Sequence, residues 1–163
     1  MLRRCALSGL LLVGSLLLFA GGASADKPVR EPFPAQEDAT YAAGELCNFP
    51  VSIETLQNNE IVTTFSDGRQ RLTGALKVRL TNVDTGESLI VNASGAGWAT
   101  ATDTAFEVSG QGLWVLLQDS GDEPGPGIFL YQGNIEWEFE FASERLTVLS
   151  ATGSVRNLCD DLA

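Results

Sequence analysis

From about residue 45 onward, apolar and polar positions alternate along the chain with a period of two. Leu76, Val78 and Leu80 alternate with Lys77, Arg79 and Thr81, the pattern of a strand with one buried face. Asn82-Val83-Asp84-Thr85-Gly86 follows. There Asp84 caps a turn, Gly86 accepts a positive φ, and Ser88 to Ala93 returns as the second strand of a hairpin. Further strands are predicted over 49–54, 61–65, 69–73, 97–102, 106–109, 113–118, 128–132, 135–141 and 146–152, with Gly, Asn or Asp at most gaps. The runs 113–117 and 128–131 are apolar at every position, which predicts cover on both faces. Residues 119–127 (DSGDEPGPG) form a loop, since no regular element tolerates that composition. Leu158 and Leu162 stand at helical spacing and predict a short C-terminal helix or turn, with Asp160 and Asp161 at its dipole-disfavoured end. About nine or ten strands in roughly 115 residues, with no long helix, predict a single all-β domain over 45–163. The expected architecture is a small antiparallel barrel, because closure removes free sheet edges. A β-sandwich is the alternative.

The N-terminal region follows a different pattern. Arg3 and Arg4 precede an apolar run from Leu7 to Phe19, and Gly21-Gly22-Ala23-Ser24-Ala25 places alanines three and one residues before Asp26. That order of parts predicts a signal peptide over residues 1–25. The apolar run is shorter than the roughly 20 residues a spanning helix needs, so no transmembrane segment is expected in the mature chain. Cys5 lies before the run and is no lipid-attachment site, and the Arg pair lacks the context of twin-arginine export. Residues 26–44 hold three prolines and little apolar periodicity, and read as a flexible Pro-containing arm.

Charge and composition then narrow the chemistry. The chain has 10 basic and 21 acidic residues. Loss of residues 1–25 removes Arg3 and Arg4 and leaves 8 basic against 21 acidic, a net charge of −13. Such a surface repels nucleic acid and anionic headgroups, so nucleic-acid binding is not expected. There is no histidine, which excludes His-based triads and His-ligated zinc or copper. No motif calls for a cofactor. Carboxylate-pair catalysis and oxygen-ligated Ca²⁺ stay open. Cys47 and Cys159 remain after processing, near the start and end of the β region. An exported chain with two cysteines is expected to join them.

Four groups of residues are candidates for function. Glu136, Glu138 and Glu140 alternate with Trp137, Phe139 and Phe141, so a strand would carry three carboxylates on one face and three aromatics on the other. Neighbouring carboxylates would lie roughly 6.5–7 Å apart, which overlaps the spacing in inverting glycosidases; the plainer reading is a solvated face over an aromatic core stripe. Asp119, Asp122 and Glu123 offer oxygen ligands for Ca²⁺, without EF-hand spacing. Asn92-Ala93-Ser94 is a chance-grade glycosylation sequon. Trp98, Trp114 and Trp137 are candidates to line a ligand pocket in a barrel mouth, against the plainer reading of core aromatics.

Cys47-Asn-Phe-Pro-Val51, Phe65-Ser-Asp-Gly-Arg69, Leu80-Thr-Asn-Val-Asp-Thr-Gly-Glu87 and the closing Gly153-Ser-Val-Arg-Asn-Leu-Cys159 together resemble an uncharacterised group of small secreted actinobacterial β-domain proteins. The resemblance covers residues 45–163. It implies a shared fold and a secreted or cell-wall-associated location, and it carries no catalytic residues, because its motifs are turn and cysteine residues. The functional expectation is an exported, non-enzymatic binding or interaction domain of unknown ligand and partner. A carboxylate-based glycan hydrolase using Glu136, Glu138 or Glu140 is one alternative, and a structural envelope protein is another.

Overall fold

The computed structural model describes residues 26–34 and 37–163; the signal peptide read in residues 1–25 lies outside them. Eleven strands and one short helix follow in chain order: β1 Val29–Pro32, β2 Ala39–Tyr41, β3 Val51–Asn58, β4 Ile61–Thr64, β5 Gln70–Thr73, β6 Leu76–Asn82, β7 Ser88–Asn92, β8 Ala96–Ala101, β9 Ala105–Gln118, β10 Gly127–Glu140, β11 Arg145–Asn157 and α1 Leu158–Asp161. All strand pairings are antiparallel. The all-β expectation therefore holds, as does the short C-terminal helix.

The barrel does not form. The strands divide into a seven-stranded sheet, β1-β4-β5-β8-β9-β10-β11, and a four-stranded sheet, β2-β3-β6-β7. Closing the large sheet would require β1 to pair with β11. Yet β1 has only four residues, all exposed, and they include Arg30, Glu31 and Pro32. A strand this short, charged and proline-bearing is a typical open edge. The segment 26–44, expected to be a Pro-containing arm, supplies β1, which pairs with β4, and β2, which pairs with β3.

The sequence over 113–118 and 127–131 explains how the two sheets pack. Val115, Leu117, Ile128 and Leu130 face a core shared with Val51, Ile53, Val78 and Leu80 of the small sheet. The alternate residues Trp114, Leu116, Phe129 and Tyr131 belong to a second cluster with Ile135 and Trp137. These strands are apolar on both faces because both faces are covered, as expected.

Two of the strand gaps predicted at glycines are absent. β9 runs unbroken through Gly110 and Gly112, and β10 through Gly133. Gly112, Gly133 and Gly153 sit side by side on three neighbouring strands, with φ of 106°, 137° and 103°. A side chain at Gly133 or Gly153 would collide with the backbone of the adjoining strand. This glycine row lets the sheet curl without breaking its ladder. The curl has a measurable result. Trp137 lies six residues beyond the position paired with Trp114, about 20 Å along a straight strand. Their ring centroids are nonetheless 6.5 Å apart, edge to face.

Cys47 and Cys159 lie at disulfide distance, with Cα atoms 5.5 Å apart. Their approach does not depend on barrel closure. Cys47 precedes β3 of the small sheet and Cys159 sits in α1, just after β11 of the large sheet, so the link staples one sheet to the other. Asn157 caps α1 by accepting from the Cys159 amide, and Leu158 and Leu162 are fully buried beside the cystine.

Candidate functional site

The chain crosses between the sheets three times within a short stretch: at Asn59-Glu60, at Gly74-Ala75 and at Ala93–Gly95. All three crossings lie at one end of the molecule. Gly74 has φ 136°, and a Cβ there would lie 2.6 Å from the Glu60 Cα, so only glycine lets the second crossing stack on the first. The Asn59 amide donates to the Ala75 carbonyl at 2.9 Å and ties the two together.

Beneath these crossings, against the concave face of the curled sheet, is a cavity of about 300 Å³. This lies at the lower end of small-molecule sites. Its walls are apolar: Leu72, Leu76, Phe106, Val108, Trp114 and Trp137 contribute, and Phe33, partly exposed after β1, stands at the rim. The Trp114 indole lies on a floor without side chains. A Cβ on Gly97 or Gly110 would approach the ring to 2.7 Å or 2.5 Å, and one on Gly95 would come closer still.

Among the described residues, Glu60 is the single ionisable one lining the cavity. It is 8% exposed. Its backbone is held at both ends: its amide donates to Asn58 Oδ1 and its carbonyl accepts from the Phe33 amide, each at 2.9 Å. Among the described residues, no hydrogen bond or ion pair reaches its carboxyl group. Burial alone pushes that carboxyl above the usual range. The indole nitrogens of Trp114 and Trp137 are also buried without an acceptor. Buried polar groups normally find partners. Two buried indole nitrogens without partners thus stand with an unpaired carboxyl on residues that line one cavity; Gln118 Oε1, Tyr131 Oη and Arg145 Nε are buried without partners elsewhere in the fold.

The residues singled out in the sequence fall in several places. Trp114 and Trp137 line the cavity. Trp98 also lines the cavity, but strand alternation turns its ring to the outer face, where the guanidinium carbons of Arg69 and Arg71 lie 5.3 and 5.6 Å from the ring centroid and Phe65 packs at 5.3 Å. Glu136, Glu138 and Glu140 also project from the outer face of β10, opposite Trp137 and Phe139 as strand geometry requires. Glu136 and Glu140 are exposed and Glu138 is half-buried. Ser150 Oγ donates to Glu136 at 3.0 Å and Ser143 Oγ to Glu140 at 2.5 Å. Glu107 stands directly opposite Glu138 on β9. Phe141 lies past the end of β10 and is exposed.

The acidic loop is internally satisfied. Asp122 accepts from the amides of Asp119 and Leu146 at 2.9 and 2.7 Å, Asp119 accepts from the Gly121 amide at 2.7 Å, and Glu123 pairs with Arg145 at 2.5 Å. Among the described residues, no cluster of three or more His, Cys, Asp or Glu is arranged to hold a metal ion. Asn92 is exposed and bonds to the Ser94 hydroxyl.

Sequence reasoning missed Glu60 and Phe33. Asn58-Asn59-Glu60 reads as an ordinary polar turn, and nothing local distinguishes its buried carboxylate. Comparison with protein families, curated proteins and solved structures finds no match in any of the three.

Proposed function

We propose that the protein is an exported, non-enzymatic binding module that takes a small apolar molecule in the cavity of its curled sheet. One observation carries this reading. The cavity of about 300 Å³ is walled by aromatics yet holds two buried indole N–H groups without acceptors and the carboxyl of Glu60, a residue only 8% exposed with which no described residue pairs. A volume of that size suits roughly ten heavy atoms at about 30 Å³ each. Transfer of about eight methylene groups is worth roughly 6 kcal/mol at about 0.8 kcal/mol each, which corresponds to a Kd of about 10⁻⁵–10⁻⁴ M. The inter-sheet cystine supports export, since such bonds persist in oxidising compartments. No helix among the described residues is long and apolar enough to cross a membrane.

The test is titration of the mature protein with 1-octanol, followed by tryptophan emission, since Trp114 and Trp137 line the site. Saturable binding is expected, and it should disappear in Ala99→Phe, which fills the cavity from β8. Binding that persists in the filled variant would place the ligand elsewhere and overturn the reading.

One observation favours a glycan hydrolase as the second reading: Glu107 faces Glu138 across β9 and β10 and supplies the partner acid that the carboxylate row otherwise lacks. The pair lines a shallow depression of about 360 Å³ on the outer face, shared with Trp98, Glu136 and Leu149 and open to water. Turnover of a chromogenic glycoside series that Glu138→Gln abolishes would establish this reading. Its absence across the series would remove it.

A further inference from the structure

The cavity has one charged wall, and its chemistry selects the ligand's polar end. Every other lining residue is uncharged. Gln70 is the other polar side chain facing in, and its amide already reaches Thr64 Oγ1 at 3.4 Å. The adjoining strands add one more charge on this side: Glu31 of β1 pairs with Val62, a wall residue, and so shares its face at the exposed rim. Arg30, Arg71 and Lys77 occupy alternate positions beside wall-side residues and point the other way. A ligand entering past Phe33 therefore meets a rim carboxylate, then the Glu60 carboxylate, with no cation among the described residues to offset either.

We propose that the cavity takes an apolar amine, with its hydrocarbon or aromatic body among Leu72, Phe106, Trp114 and Trp137 and its ammonium group on the Glu60 carboxylate. This rests on the reading of the cavity as a small-molecule site and adds the class of ligand. An ammonium group supplies the hydrogen-bond donors and the positive charge that Glu60 lacks. The aromatic walls suit a cation through their ring faces. The protein's negative charge raises the local concentration of cations and lowers that of anions. A carboxylate ligand would set two anions together in an apolar enclosure, and a neutral alcohol would leave the buried acid unmatched. Burial raises the Glu60 pKa, and an ammonium ion beside the carboxylate opposes that shift.

The experiment compares octylamine, 1-octanol and octanoate on the folded, oxidised mature protein by calorimetry. Octylamine stays protonated well above neutral pH, like lysine with its pKa near 10.4. At pH 7.5 octylamine should bind at least tenfold more tightly than 1-octanol, and octanoate more weakly than both. That advantage should fall at least fivefold on acidification to pH 4, as Glu60 takes up its proton. In Glu60→Gln the amine and the alcohol should bind within threefold of each other. The acid titration of the unmodified protein tests the same point if that variant does not fold. If 1-octanol binds but octylamine binds no tighter, or if its advantage survives in Glu60→Gln, the amine inference fails while the cavity reading stands. If none of the three compounds binds, the cavity reading fails and the inference falls with it.

Discussion

The molecule has two apolar interiors that share a wall, and they are built to different standards. Between the sheets, Val51, Leu80, Ile128, Leu158 and Leu162 are fully enclosed. The polar group buried there is satisfied: Asn82 Nδ2 donates to the Leu162 carbonyl at 2.9 Å, and its Oδ1 accepts from the Asp84 amide at 3.0 Å. Under the curl of the large sheet, larger aromatics enclose a cavity, the indole nitrogens of Trp114 and Trp137 are buried without partners, and no described residue pairs with the Glu60 carboxyl. The same strands face both, with Leu117 and Leu130 on one side, Trp114 and Leu116 on the other, and Val115 bordering both. Apolar composition therefore does not separate a stabilising core from a binding site. What separates them is whether buried polar atoms are satisfied and whether space is filled.

The sharpest break between the two regions is to cut the staple that belongs to only one of them. Cys47 and Cys159 close a loop spanning 112 positions. In the chain-entropy account a loop of about 100 residues is worth roughly 4.7 kcal/mol. The double variant Cys47→Ala/Cys159→Ala should lose about 4 kcal/mol in urea unfolding, with a Tm lower by roughly 10–15 °C. Where it remains folded, affinity for 1-octanol should match the parent, because the cystine lies in the other interior. An unchanged Tm would show that the link is not formed in the folded chain.

A smaller cut stays inside the first interior. Leu80 is fully enclosed, and Leu80→Ala should cost about 3 kcal/mol through lost burial and the cavity it leaves. Affinity at the other region should change by less than twofold, since well-separated sites act additively. A tenfold loss of 1-octanol binding would mean the two interiors are one cooperative unit.

The first interior was far more legible in the sequence than the second, for physical reasons. Period-two alternation reports which face of a strand is buried. It placed the β6–β7 hairpin correctly and set Trp137 and Phe139 opposite the Glu136–Glu140 row. Even in that hairpin the capping side chain is Asn82, not Asp84: its Oδ1 accepts from the amides of Asp84 and Thr85. Alternation says nothing about which strands pair, so two open sheets and a closed barrel give the same pattern. Glycine was read as punctuation, although Gly112 and Gly133 lie within continuous strands and bend them. Glu60 carried no signal, because its burial is made by the stacking of Gly74 and the position of Phe33, both distant in sequence. Parity and compartment pointed to the cystine, whereas the barrel argument for its geometry did not apply.

A third change sharpens the comparison from the cavity's side. Gly97 forms part of the floor under Trp114, and an added methyl would sit 2.7 Å from Cζ2 of the ring and 2.9 Å from the Ser109 carbonyl. Neither neighbour is the free end of a flexible chain. Gly97→Ala should cost about 2 kcal/mol by overpacking, displace Trp114 and weaken 1-octanol binding at least fivefold. Leu80→Ala costs more stability and leaves binding alone; this variant should do the reverse. Unchanged tryptophan emission and affinity would show that the indole does not rest on the glycine floor.

The smallest effect separates the regions by pH. Burial raises the Glu60 pKa above the usual range of a glutamate carboxyl. A group with a raised folded pKa contributes its stability below the unfolded value, and that contribution is lost as pH rises through the folded value. The unliganded protein should therefore lose stability relative to Glu60→Gln between about pH 4 and neutrality. The variant should be the more stable of the two by about 1 kcal/mol at pH 7.5, the lower end of the cost of an unpaired buried polar group. At pH 4 the two should unfold at the same urea concentration. Asp67 works in the opposite direction, because the hydrogen bond from the Arg69 side chain holds it below its usual range. Both proteins carry Asp67, so its contribution cancels in the difference. Urea midpoints measured for both proteins at the two pH values decide the matter. A Glu60→Gln variant less stable than the parent at pH 7.5 would mean that the carboxylate has a partner in the folded chain, and the contrast between a satisfied core and an unsatisfied cavity would collapse.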